Sequence, residues 1–176
     1  MVEIDYSALP KQKAYRINVN EAPTIDESGD MDEEDEGAAT IRTPILTNDN
    51  IITWTTGQPG DVIPWHTHSP EMYQILINTE GRCVWHYKDN DGNTQSVKGA
   101  PGDLIYLPAG AENKVEVVGD GPHTHIGVLR RPRVPRIEQL VGQTDGVYDH
   151  REFPAAFVYD DMNDRVVRMD ENAVSE

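Results

Sequence analysis

His66 and His68 stand one residue apart in a stretch that reads as strand, Val62-Ile-Pro-Trp-His66-Thr-His68. A strand repeats every two residues, so both imidazoles leave the same face of a sheet. A carboxylate, Glu71, follows just past the Ser69-Pro70 turn. Two neutral imidazoles and a carboxylate form the nitrogen-and-oxygen donor set that first-row divalent metals take, here one ion of Fe, Mn, Ni, Co or Zn. A second His-x-His occurs at His123-Thr-His125, where His123, His125, Gly127 and Leu129 alternate against Thr124, Ile126 and Val128. If that face turns inward, His125 adds an imidazole to the donor set; if outward, the two rings are a surface pair. His86 lies among aromatic residues and reads as a satisfied, partly buried histidine.

The elements that must position these groups are short strands. Ile51–Thr56 is β-branched and aromatic, and Gly57-Gln-Pro-Gly60 turns it into the histidine strand. Further strands are expected at 72–78, 82–88, 94–98, 104–107, 112–118 and 123–129. Asp89-Asn-Asp-Gly-Asn93 is a hairpin signal between two of them, because Asp-Gly tolerates the positive φ of such turns. Short strands at this spacing with turn residues between them predict a sandwich or barrel, and no convincing helix competes before residue 136.

Gly60, five residues, His66-x-His68, then Glu71 and Gly81, resembles the first motif of the cupin superfamily. Gly102, five residues, Pro108-x-Gly110 resembles its second motif. The resemblance covers roughly residues 55 to 130 and implies an all-β fold, an antiparallel double-stranded β-helix or jelly-roll barrel. It also implies a divalent metal in the barrel acting on a small organic substrate, with dioxygenase, isomerase, lyase or decarboxylase chemistry. Trp65, Tyr73, Trp85 and Tyr106 are then the expected lining of the barrel mouth. The chain departs from the family pattern in two places. Only Ser69 and Pro70 separate His68 from Glu71, and counting back from Gly81 puts Gln74 in the acidic position. We take Glu71 as the ligand, since Glu71, Tyr73 and Ile75 share one strand face, with Gln74 as the alternative. Where the second motif supplies a His and then an Asn, this chain has Asn113 and Val117. Asn113 is thus an alternative ligand, and a non-catalytic cupin that binds a small ligand or simply assembles is the competing function.

Composition bounds the remainder. The 176 residues hold 31 Asp and Glu against 15 Lys and Arg, a formal charge of −16. That balance disfavours nucleic acid, which needs a basic footprint, and matches the acidic bias of proteins that work in high salt. A single cysteine, Cys83, excludes an internal disulfide and fits a reducing, cytoplasmic setting. No signal-like opening and no run of eighteen apolar residues is present, so no membrane partner is expected.

The expected organisation is an N-terminal arm (1–45), a barrel (46–131) and a C-terminal extension (132–176). Within the arm, Tyr15–Val19 reads as a strand. Residues 26–36 hold eight carboxylates in eleven positions and read as a solvated loop. Arg130-Arg-Pro-Arg-Val-Pro-Arg136 is the basic cluster, with carboxylates of its own or a neighbouring subunit as its expected partners. The extra material at both ends, including the apolar Phe153–Tyr159, leads to the expectation of a homodimer in which one arm crosses between barrels.

Overall fold

A computed structural model of the chain describes residues 18–22, 24–25, 37–47, 49–68 and 70–130, together with the backbone of two strands at 155–160 and 165–168. The strands are β1 (Thr24–Ile25), β2 (Gly37–Ala38), β3 (Thr40–Thr47), β4 (Asn50–Gly57), β5 (Asp61–Thr67), β6 (Tyr73–Glu80) and β7 (Arg82–Lys88). They continue as β8 (Thr94–Gly99), β9 (Leu104–Leu107), β10 (Glu112–Val118), β11 (His123–Arg130), β12 (Ala155–Asp160) and β13 (Arg165–Arg168). Among the described residues, no helix is long and apolar enough to cross a membrane.

Two sheets result. One runs β13-β12-β3-β4-β11-β6-β9, with β1 also on β3; the other runs β2-β5-β10-β7-β8. Pairing is antiparallel except for β12 on β3 and β2 on β5. Alternation along the strands sends one set of side chains between the sheets. Ile41, Leu76, Ile105 and Leu107 come from the larger sheet, and Ile63, Cys83, Trp85 and Val115 from the smaller; they form one buried cluster. The hairpin expected at Asp89–Asn93 is present: the Asp89 carboxylate accepts from the backbone N–H groups of Asp91 and Asn93, and Gly92 takes φ 79°.

Two prolines shape the ladder. In β3 the register on β4 slips between Arg42 and Ile45, around buried Pro44, which has no N–H to give. In β5 the partners of Asn113 and Val115 are His66 and Ile63, so β5 carries one extra residue beside Pro64. That bulge resets which side chains of β5 face inward.

The ends differ in part from the expectation. Val19, the last residue of the strand expected at 15–19, opens a single 3-10 turn (Val19–Glu21); residues 15–17, the acidic run 26–36 and residues 131–136 lie outside the described residues. Arg130 alone of the basic cluster is described, and it pairs with Asp49 at 3.0 Å. Strand β3 straddles the boundary expected at residue 45, and β12 joins it in this chain's own sheet.

Candidate functional site

A cavity of about 60 Å³ opens between the two sheets. A single water needs roughly 10–15 Å³ on this measure, so the cavity suits an ion with a few small ligands, or an organic molecule of few atoms. Its polar lining is His66, His68, Gln74, His125, Thr53 and Thr55; Ile41, Ile63, Trp85 and Leu129 supply the apolar wall. Among the described residues, no carboxylate and no Lys or Arg lines it.

His66 and His68 arrive from β5 and its end, past the Pro64 bulge. Their ring centroids are 4.8 Å apart and nearly perpendicular, at 76°. The Pro64 carbonyl accepts a hydrogen bond from His66 Nδ1 at 2.8 Å. A carbonyl can only accept, so Nδ1 carries a proton, and Nε2 is the nitrogen left to ligate in the neutral ring. His68 is neutral: burial, and secondarily the neighbouring His66, lowers its pKa to about 3.

His125 and His123 project inward from β11, and the face left open in the sequence is the buried one: the two residues are 2% and 1% exposed. His125 lines the cavity and meets the edge of Trp85 at a centroid distance of 5.3 Å. Burial, and secondarily His123, lowers its pKa to about 3. Burial also lowers the pKa of His123, whose Nε2 lies 2.9 Å from His125 Nδ1. His123 had no separate role in the sequence; its two-residue spacing from His125 was the available signal.

Several expected site residues sit elsewhere. Glu71 is exposed at the turn before β6 and does not line the cavity, whereas Gln74 is buried in it. The face chosen for β6 was one residue out of phase: Met72, Gln74, Leu76 and Asn78 point inward, while Tyr73 and Ile75 point outward. Tyr73 accordingly packs on Tyr106 outside the barrel, with centroids 5.6 Å apart and Tyr106 57% exposed. Trp65 sits under the Lys88 ammonium, 4.9 Å from its ring centroid, and does not line the cavity. Of the four expected aromatic residues, Trp85 alone lines it. Asn113 is fully buried, opposite His66, but is not part of the lining. His86 contacts Glu116 at 3.4 Å and takes no part in the site.

The donor chemistry fits a divalent ion in part. His66 presents Nε2, its Nδ1 being engaged by the Pro64 carbonyl, His68 is a neutral imidazole, and Gln74 can add an amide oxygen. Among the described residues, however, no three His, Cys, Asp or Glu side chains group closely enough to hold an ion.

No protein-family model and no curated protein matches the chain. Solved structures do. The oxalate decarboxylase of Lactobacillus farciminis, as a formate complex, is 16% identical with a TM-score of 0.52, over 68% of this chain and 34% of that one. The Bacillus subtilis oxalate decarboxylase at pH 4.6 is 18% identical with a TM-score of 0.52, over 64% and 28%. A cupin family protein with a double-stranded β-helix fold from Methanocaldococcus jannaschii is 15% identical with a TM-score of 0.45, over 57% and 87%. The chain thus spans about a third of the length of the two decarboxylases. What is shared is the fold, an all-β double-stranded β-helix of the cupin type.

Proposed function

We propose that this cupin-fold barrel is a small-molecule site in which His66 and His68, with Gln74 beside them, hold one divalent transition metal that engages a small anionic organic substrate. The observation that carries the reading is the pair of imidazoles placed side by side at a small cavity whose described lining holds no carboxylate, Lys or Arg. When bound, Fe, Mn, Ni, Co or Zn supplies a Lewis acid that polarises a carboxylate or carbonyl oxygen, the chemistry of decarboxylases, lyases, isomerases and oxygenases.

The chain's own residues do the rest. The Pro64 carbonyl fixes the His66 tautomer so that Nε2 is the donor atom. Burial keeps His68 unprotonated, so it does not have to lose a proton to ligate. With no carboxylate among the donors, the charge of the ion is left for the substrate to balance, which selects an anion. The cavity's size restricts that anion to a few heavy atoms. Oxalate, the substrate named for the two decarboxylases of like fold, is an anion of this kind.

The second reading is a non-catalytic barrel that binds a small ligand. Asn113 at the usual imidazole position favours it, as does the lack, among the described residues, of three grouped His, Cys, Asp or Glu side chains. Elemental analysis of untagged protein purified without chelator separates the two. Near-stoichiometric metal, abolished in His66→Ala and His68→Ala, reduced in Gln74→Ala and unchanged in Glu71→Ala, is the expected result. A metal-free wild-type protein that takes up none of the five ions leaves the ligand-binding reading.

A further inference from the structure

We infer that the outer face of the smaller sheet carries a second, separate binding site. It is a cleft in which Arg82 and Lys98 take the phosphate or carboxylate head of a small organic anion, with Val84 and Val118 against its apolar body. Nothing in this inference depends on the barrel cavity or on a metal there.

The register of three strands builds the cleft. On β7, Arg82 and Val84 leave the outward face, while Cys83 and Trp85 point into the core. Val118 of β10 stands opposite Arg82, and Lys98 of β8 stands opposite Val84. Arg82 and Lys98 are therefore diagonal neighbours on one face of adjacent antiparallel strands, their Cβ atoms within roughly 7–8 Å. Two long side chains at that separation can close on one guest. They border a cleft of about 510 Å³, whose wall also includes Val84, Ala100, Val118 and Asp103. Sites for small organic ligands run from roughly 300 to 1,000 Å³. The cleft thus admits a guest that the barrel cavity, at about 60 Å³, excludes.

Charge selects the guest. The chain carries a formal charge of −16, and most of its described cations are already engaged. Arg42 donates to the Ala22 carbonyl, Lys88 donates to Thr94 Oγ1, and Arg130 pairs with Asp49. Lys114 has a partner as well. Arg82 and Lys98 are left without one among the described residues, and both line the same cleft. The carboxylates close by are turned to other groups. Asp103 accepts from the Ala100 N–H at 2.9 Å, and Glu116, opposite Val84, contacts His86 at 3.4 Å. A guanidinium fork and an ammonium therefore stand open to an oxyanion, which the fork can take through two parallel hydrogen bonds. Half-buried Val84 and Val118 add an apolar floor, so an organic anion fits better than a bare inorganic one.

Amide ¹H–¹⁵N NMR of the full chain at low salt tests the site, with phenyl phosphate, benzoate, inorganic phosphate and phenol as probes. Phenyl phosphate or benzoate, according to which head the cleft takes, should give saturable shifts centred on residues 82–84, 98–100 and 118–119. Inorganic phosphate should bind about tenfold more weakly than the organic anion, and phenol not at all. Arg82→Gln and Lys98→Gln should each weaken binding by about threefold to fivefold, the scale of an exposed ion pair, and the double variant should abolish it. Both side chains are exposed, so the variants should keep the fold, which an unchanged spectrum away from the cleft checks. No saturable shift at these amides with either organic anion, or binding that survives in the double variant, overturns the site. Inorganic phosphate as tight as both organic anions, or phenol as tight as benzoate, overturns the class of guest. His66→Ala and His68→Ala should leave this titration unchanged, so failure of the barrel metal centre and failure of the cleft are read separately.

Discussion

Asn113 stands directly across the β5–β10 ladder from His66, and its buried Oδ1 has no hydrogen-bond partner among the described residues. Its amide Nδ2 donates to the Ala111 carbonyl at 3.3 Å, so one half of the side chain is satisfied and the other is not. Directly opposed residues in a ladder have their Cβ atoms roughly 4.5–5.5 Å apart, within reach of a shared ligand.

Asn113→His therefore places an imidazole beside His66 at the ladder position opposite it. Metal affinity is expected to rise by about tenfold or more, the scale on which single partners around a metal act. Titration of chelator-treated protein with Co(II) or Zn(II) measures it. Unchanged affinity would show that this rung of the ladder does not reach the ion.

Gly127 lies on the inward face of β11, between His125 and Leu129. A Cβ there would collide with the Thr53 hydroxyl, part of the cavity wall, and crowd Leu129 at 3.3 Å. Gly127→Ala should destabilise the fold by about 1–3 kcal/mol, as overpacking of a filled interior does. Denaturant unfolding checks the loss, and a variant as stable as wild type would mean that Thr53 moves aside freely.

The buried imidazoles make stability depend on pH with a defined sign. His68 and His125 titrate at about 3 in the folded chain and near 6.5 when unfolded. Between those values the unfolded chain binds more protons. The stability they allow is full above about pH 6.5 and falls as pH drops toward 3, by roughly 1.4 kcal/mol per pH unit per ring. His125→Gln removes one of the two rings, so its stability should fall less steeply from pH 6 to 4. Parallel slopes for the two proteins would contradict a neutral, desolvated His125.

The acidic balance yields a prediction about salt. A formal charge of −16 opposes compaction when it is unscreened, and the Debye length shortens from about 10 Å at 0.1 M to about 3 Å at 1 M salt. The melting temperature is expected to rise from low to molar KCl at neutral pH. A flat or falling curve would leave the halophilic reading without support.

The sequence by itself determined the architecture. β-branched runs broken by Gly, Pro and Asp-Gly turns specify short strands, and the tight turns make successive strands antiparallel. The ranges expected for 82–88, 104–107 and 112–118 coincide with β7, β9 and β10. The common face of His66 and His68 was also legible, because a two-residue period is a local property. What only the tertiary structure decided is which face is inside. A strand's alternation has two phases of equal local merit, and burial between sheets chooses one. For β6 that choice put Gln74 in the cavity and left Glu71 exposed. For β11 it turned His123 and His125 inward. For β5 the extra residue at Pro64 shifted the phase midway, bringing Ile63 and His66 to the same side although three positions separate them. Such a bulge is defined only against the partner strand, so no window of this sequence contains it.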